Sequence, residues 1–159
     1  MDSNVIKIDL DSRFEYLNEF DDSKINDRLQ NYILSSISDI KKDIMLIIKF
    51  NYKIDKNDFE NVKDVFNLSF NSTLNNINNE IKMMNFKNFI LLLLGFCFLM
   101  IYCYLEMKDI FIFAEFFMVV SWVFFWEFVE SLLFKKRKLV IEKKKYQKLL
   151  SAEFKIEYV

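Results

Sequence analysis

The chain has 159 residues, enough for one modest domain together with a membrane element. It has no histidine, which removes the commonest general base and metal ligand, and its formal net charge of -1 gives no indication of a nucleic-acid partner. The charges are unevenly distributed: residues 135–159 hold nine Lys or Arg against three Asp or Glu, so basic charge is concentrated near the C-terminus.

The first predicted element is a strand in the segment NVIKIDL. Ile6, Ile8 and Leu10 alternate with polar residues there, and this period of two indicates a half-buried strand. The N-terminal residues are acidic and have no apolar core of signal-peptide length, so we expect the mature chain to begin near Met1.

The stretch after the first strand, DSRFEYLNEFDD, is too apolar for a simple loop. We expect it to pack beneath the sheet or to lie at the level of lipid headgroups.

A helix and two more strands complete the predicted soluble part. Ser23 is a good N-cap residue, and apolar residues then recur at helical spacing as far as Ile40. The segment IMLIIKFNYKI begins as a continuous apolar run and then alternates, which favours the central, best-buried strand. The C-terminal segment EFKIEYV alternates again. The third strand is therefore predicted to come from the far end of the chain.

The sequence is helical in pattern from Lys56 onward. Apolar residues step by 4, 3, 4 and 3 in a coiled-coil-like seam: Phe70, Leu74, Ile77, Ile81 and Met84. No proline or glycine precedes Gly95, so we expect the helix to continue unbroken into the apolar region. A returning helix is predicted from three residues that step by 7 and 4: Leu139, Tyr146 and Leu150. Residues 70–86 and 135–150 would then form a helical stalk.

Two apolar segments, at about residues 87–105 and 110–134, are predicted to span a membrane. A spanning helix needs roughly 17–25 apolar residues, and both segments meet this length. Only EMKD separates them, so we expect a tight antiparallel hairpin. Because Lys and Arg are enriched on the cytoplasmic side, the basic run predicts that both termini are cytoplasmic, and we expect the protein in the inner (plasma) membrane of the cell. The alternative, a soluble buried hairpin, has too little chain to cover it.

Three carboxylates lie within or beside the second apolar segment. At helical spacing Glu115, Glu127 and Glu130 share one broad stripe. A charge at the bilayer centre costs at least about 2.5–3.5 kcal/mol, so such residues usually face protein or water. Glu115 and Glu130 are expected near the two interfaces. Glu127 lies deeper, and we expect its partner to be Asn88 or a neighbouring subunit, which favours a homo-oligomer.

The basic run that follows this segment is predicted to lie at the membrane interface. Cations there attract anionic headgroups, and the residues concerned are Lys135, Lys136, Arg137 and Lys138. Binding to nucleic acid is the weaker interpretation of the same run. Cys97 and Cys103 match no metal motif or disulfide framework, and we expect them to be two small buried apolar residues.

Signals of enzymatic activity are nearly absent. The only glycine lies in an apolar segment, so no glycine-rich loop can hold a phosphate, and no serine lies in a nucleophile-elbow context. We therefore predict no catalytic residue, no metal site and no cofactor. The expected partners are the lipid bilayer and either a second copy of the chain or another membrane or cytosolic protein.

The sequence SWVFFWE followed by SLLFKK, after a short hairpin and an α/β head, resembles a set of small uncharacterised bacterial membrane proteins with two spans. This resemblance implies the architecture and no activity, and no site residue is carried over from it.

The predicted fold class is α+β, with a small three-stranded cytosolic sheet and helices, plus an inserted two-helix transmembrane hairpin. Residues 1–69 and 151–159 would form the cytosolic domain, and residues 87–134 the hairpin. The predicted function is that of a non-enzymatic membrane-anchored module for interaction or oligomerisation. The alternative is an oligomeric pore or permeability effector lined by the acidic residues of the second span.

Overall fold

The computed structural model describes residues 4–12, 15–18, 21–37, 44–51 and 56–158. Its elements in chain order are β1 (Asn4–Leu10), β2 (Leu17–Asn18), β3 (Asp21–Ile25), α1 (Asp27–Ser36), β4 (Ile44–Phe50), α2 (Lys56–Glu106), α3 (Phe111–Glu130), a π-helical segment (Ser131–Lys136), α4 (Arg137–Leu150) and β5 (Glu153–Tyr158). The fold is α+β. The chain divides into an α/β unit, Met1–Asn76 with Glu142–Val159, and a hairpin unit, Ile77–Ile141.

A three-stranded parallel sheet forms the centre of the α/β unit. Its strand order is β1-β4-β5, and Ile8, Ile48 and Ile156 share one row across the three strands. The prediction of a small sheet is confirmed. Its middle strand is the most apolar one, and its third strand comes from the far end of the chain.

One face of this sheet carries the core of the α/β unit. Alternate residues of β4 are buried from Ile44 to Phe50, as a period of two requires. Helices cover this face, and Phe66 of α2 makes edge-to-face ring contacts with Phe70 at 5.8 Å and with Phe154 of β5 at 6.1 Å. The residues that are almost completely buried include Phe50, Phe66, Phe70, Ile33, Leu46, Ile48 and Leu149.

The first helix begins later than the sequence predicts. Residues 21–25 form β3, which pairs with β2, so Ser23 does not cap the helix. The N-cap is Asn26, whose Oδ1 accepts a hydrogen bond from Arg28 N at 2.9 Å. Ser and Asn are both strong N-cap residues, and the pairing of β2 with β3 decides between them.

The apolar stretch after β1 packs onto the core, which is the first of its two predicted positions. Tyr16 and Leu17 are buried, and the Tyr16 ring meets the Phe50 ring edge-to-face at 6.4 Å. Phe14 and Phe20, which belong to the same stretch, lie outside the described residues, as does Ile40 of the predicted first helix.

A small polar cluster joins three helices inside the α/β unit. Gln30 of α1 donates through Nε2 to Tyr146 Oη of α4 at 2.6 Å and to Thr73 Oγ1 of α2 at 3.2 Å. Burial raises the pKa of the Tyr146 phenol above its usual value, because the charged phenolate is poorly solvated there. Lys145 donates to the carbonyl of Leu34 at 2.9 Å and so satisfies an orphan carbonyl near the end of α1.

The turn of the hairpin unit ends α2 with a left-handed residue. Asp109 has φ 59°, the αL conformation that glycine usually supplies after a helix. Ile110 N donates to Leu105 O at 3.1 Å, and Asp109 N donates to Glu106 O at 3.0 Å. These two hydrogen bonds make a Schellman motif. Aspartate is among the few residues other than glycine that adopt this conformation without severe strain.

Helix α2 carries a seam of 3.5-residue repeat, and the part of it around Gly95 and Phe98 packs on α3. Every residue at successive steps of 4 and 3 along α2 is buried or half-buried: Ile77, Ile81, Met84, Asn88, Leu91, Gly95, Phe98, Tyr102 and Leu105. The two helices approach closely at Gly95, whose carbonyl accepts a hydrogen bond from Ser121 Oγ at 2.8 Å. A Cβ added at Gly95 would lie 3.2 Å from the Phe125 ring, so the seam needs a small residue there.

The outward faces of these two helices are apolar and exposed. Both helices are long and apolar enough to cross a membrane, and only 11% of the apolar stretch of each is buried. Cys97 and Cys103 are exposed too, so the prediction that they are buried is wrong. Both fall between seam positions and point away from α3. Examples of large exposed residues are Phe89, Phe96, Met100, Ile112, Phe116, Trp122 and Trp126.

Removal of residues 153–159 should destabilise the α/β unit. Without β5, the strand carrying Leu46 and Ile48 becomes an edge strand and loses the Phe154 contact. A loss of about 1.4 kcal/mol raises the open population roughly tenfold, and cleavage by a protease follows that population. Limited proteolysis should therefore be at least about tenfold faster. The control is Lys155→Gln, which changes an exposed side chain and keeps the strand. Equal cleavage rates for the truncated and full chains would contradict the role of β5.

Candidate functional site

The candidate site is a cluster of charged side chains at one end of the hairpin unit. Lys87 Nζ of α2 and Lys135 Nζ of the π-helical segment each lie 3.3 Å from the same oxygen, Oε1 of Glu127. Lys135 Nζ also lies 3.4 Å from Glu130 Oε1. Two cations and two carboxylates therefore form one connected network that links α2 to the helix that returns.

This network corrects the partner predicted for Glu127. Its partners are Lys87 and Lys135 of the same hairpin, so its charge is compensated without a second subunit. Asn88 does not bind it. The Asn88 side chain is only 4% exposed, and its Nδ2 and Oδ1 have no hydrogen-bond partner among the residues described.

The other residues predicted for this region are spread over the surface. Glu115 is exposed and makes no ion pair within the described ranges. Lys136 is half-buried, whereas Arg137 and Lys138 are exposed, and none of these three forms an ion pair in the part of the chain described. Of the four predicted cations, the structure thus brings only Lys135 into contact with the predicted carboxylates.

The π-helical segment shapes a groove beside the network. A wider π turn takes up about one residue more than an α turn. Ser131 and Lys135 of this segment line the groove together with Leu139 of α4. The groove has a volume of about 330 Å³, and its lining residues are Glu80, Met83, Met84, Lys87, Ser131, Lys135 and Leu139.

This groove combines apolar walls with charges of both signs. The side chains of Met83, Met84 and Leu139 offer apolar contacts, and Lys87 and Lys135 offer ammonium donors. Such a combination suits an amphipathic ligand better than a metal ion. No group of three or more possible metal ligands occurs in the ranges that the structure describes.

A second cavity, of about 520 Å³, lies in the α/β unit. It is more polar, and its lining residues are Lys63, Asn67, Leu150, Ser151, Ala152, Glu153, Phe154 and Lys155. It borders the turn between α4 and β5. The described lining includes two lysines and one glutamate, without a nucleophile held next to a base.

Sequence reasoning missed Lys87 as the partner of Glu127. It used Lys87 only as one of the cations that set the orientation of the hairpin. The signal was available: in an antiparallel hairpin with its turn near Lys108, residue 87 lies about as far before the turn as residue 129 lies after it. Counting from the turn therefore places Lys87 within reach of Glu127.

The network should appear as energetic coupling between Lys87 and Glu127. Lys87→Met and Glu127→Gln should each lower the unfolding temperature of the detergent-solubilised protein, since the first removes one of the two cations on Glu127 and the second leaves Lys87 without its carboxylate. The double variant should lose less than the sum of the two. Circular dichroism would follow the unfolding. Glu115→Gln is the matched control and should change little. Strictly additive effects of the two variants would contradict the network.

Comparison with protein-family models, with curated proteins and with solved structures gives no match to this chain. The resemblance to small two-span bacterial membrane proteins therefore rests on the sequence motif alone.

Proposed function

We propose that this protein is an integral membrane protein whose hairpin spans the bilayer and anchors the α/β unit at one surface. The observation that carries the proposal is the exposure of the apolar faces of α2 and α3, of which only 11% of each apolar stretch is buried. Soluble monomers rarely expose contiguous apolar patches larger than a few hundred Å². In a bilayer the same faces contact lipid chains at no such cost.

The proposed orientation places both termini in the cytoplasm of a bacterial cell, with the hairpin in the inner membrane. Support comes from the distribution of cations, since Lys82, Lys87 and the run from Lys135 to Lys138 all lie at the polar end of the hairpin. The turn at the other end holds a single lysine, Lys108, beside Glu106 and Asp109.

The proposed role of the α/β unit is non-enzymatic recognition of a protein partner or of a second copy of the chain. Parallel sheets are normally covered on both faces. Here the face opposite the core is open in the described ranges, with Val5, Lys7, Asp9 and Lys155 exposed. A partner that covers this face would complete the second layer of the sheet.

The alternative function, a pore lined by acidic residues, has less support. A ring of acidic side chains selects cations because its charges face the path. Glu127 instead shares its Oε1 with two lysines of its own hairpin, which cancels its charge locally. We therefore prefer the anchor.

Topology can be tested with single cysteines. In a background with Cys97 and Cys103 replaced by serine, Met107→Cys should react with an impermeant maleimide added to intact cells. Reporter fusions at Met1 and Val159 should both indicate the cytoplasm. Recovery of the protein in the soluble fraction, or an external signal from either terminus, would exclude the proposal.

Ion flux separates the anchor from the pore. Liposomes that contain the wild-type protein should show no flux above empty liposomes, and Glu127→Gln should leave this unchanged. Under the pore function the wild type would conduct, and Glu127→Gln would alter cation selectivity because it removes the charge. Glu115→Gln serves as the control, since Glu115 makes no ion pair in the described ranges. Oligomer size would be measured on the same samples.

A further inference from the structure

We propose that the groove at the polar end of the hairpin unit binds one phospholipid whose headgroup carries a phosphate and a free ammonium, as in phosphatidylethanolamine. This inference rests on the proposed membrane function and names a ligand class for the candidate site. Three properties of the groove carry it: unused donors on two lysines, an acidic side chain further from the apolar segment, and an apolar wall.

The lysine end of the groove can bind a phosphate. An ammonium has three donors, and Glu127 takes one donor from Lys87 and one from Lys135. Lys135 also pairs with Glu130, and the lysine side chains remain 59% and 48% exposed, so two donors of Lys87 and one of Lys135 are open to a ligand. Glu127 holds both ammonium groups near a single oxygen, which positions them together before any ligand arrives. Phosphate oxygens accept such charge-assisted hydrogen bonds well.

The acidic end of the groove is provided by Glu80. Glu80 is seven residues before Lys87, so the two lie on one face of α2, and both line the groove. Glu80 is exposed and makes no ion pair with any residue that the structure describes. Along α2, Glu80 is the further of the two from the apolar segment. In phosphatidylethanolamine the ammonium is likewise further from the acyl chains than the phosphate, so the order of charges along the groove matches the order along the lipid.

The acidic lining residue favours this headgroup over an anionic one. The charged residues that line the groove are Lys87, Lys135 and Glu80, and both lysines already share their charge with Glu127, outside the lining. A purely anionic lipid would leave the Glu80 carboxylate without a partner, whereas a zwitterionic lipid can pair both of its groups. A choline headgroup has the same charges, but its methyl groups leave no N–H to donate to Glu80.

The apolar wall of the groove favours the binding of a lipid over that of a soluble phosphate compound. Met83, Met84 and Leu139 line the groove between and beside the charged groups. Methionine side chains are flexible and adapt to irregular apolar ligands. The first part of an acyl chain or the glycerol backbone would contact them as it enters the bilayer.

The test uses the full-length protein in nanodiscs of equal parts phosphatidylethanolamine, phosphatidylcholine and phosphatidylglycerol. After gentle extraction into detergent, native mass spectrometry counts the lipids of each class that stay bound. Wild type should retain phosphatidylethanolamine over phosphatidylcholine by several-fold. Adding soluble phosphoethanolamine in excess should not displace the lipid.

Two variants and one control assign the effect to the groove. Glu80→Gln should abolish the preference for phosphatidylethanolamine over phosphatidylcholine while some lipid stays bound. Lys87→Met should lower the retention of all three classes. Lys82→Met is the matched control, because Lys82 is an exposed lysine of the same helix that does not line the groove, and it should behave as wild type.

Several results would overturn the inference. Equal retention of phosphatidylethanolamine and phosphatidylcholine, a preference for phosphatidylglycerol, displacement by phosphoethanolamine, or a Glu80→Gln variant that behaves as wild type would each do so. Failure of the wild-type protein to enter nanodiscs would instead refute the membrane function on which the inference rests, so the two failures are distinguishable.

Discussion

Parallel pairing of β5 with β4 is the constraint on which the rest of the architecture depends. Parallel strands cannot be joined by a tight turn and need a crossover connection. Here the crossover runs from Asn51 to Ala152 and contains the whole hairpin unit. The α/β unit is therefore assembled from two segments that are far apart in sequence. The hairpin has to return the chain to the α/β unit before β5 can complete the sheet. An even number of long apolar helices satisfies this requirement.

The sequence predicted those features that a strong period determines. Alternation gave the three strands, and the seam and the absence of proline gave the unbroken α2. The start of the first helix was not predictable from the sequence. Ser23 and Asn26 are both good N-cap residues, and only the pairing of β3 with β2 decides between them. The exposure of Cys97 was missed because an apolar run alone does not say which side faces α3. The amino-acid composition of the π-helical segment does not distinguish it from an α-helix.

At the candidate site, the sequence singled out Glu127 but did not identify its partners. Glu127 is conspicuous because it lies in an apolar helix, and burial cost implies a partner. A partner search limited to the apolar segment finds Asn88, whereas the long side chain of Lys87 reaches Glu127 from the segment's polar edge. Lysine stems can cross apolar surface while the ammonium stays near polar groups, so its charge acts at a distance from its backbone position. A search that compares only the depths of backbone positions along the helices therefore misses partners with long side chains.

The buried amide of Asn88, which has no hydrogen-bond partner among the described residues, gives the seam on α2 an uneven local stability. Near the middle, Gly95 permits close approach, and the Phe98 ring stacks on Phe124 at 5.4 Å. At Asn88 a buried amide without a partner costs roughly 1–3 kcal/mol. This cost offsets part of the stabilisation that the ion pair of Lys87 with Glu127 gives to the same end of the hairpin. We expect backbone hydrogens around Asn88 to exchange by local opening more readily than those around Gly95.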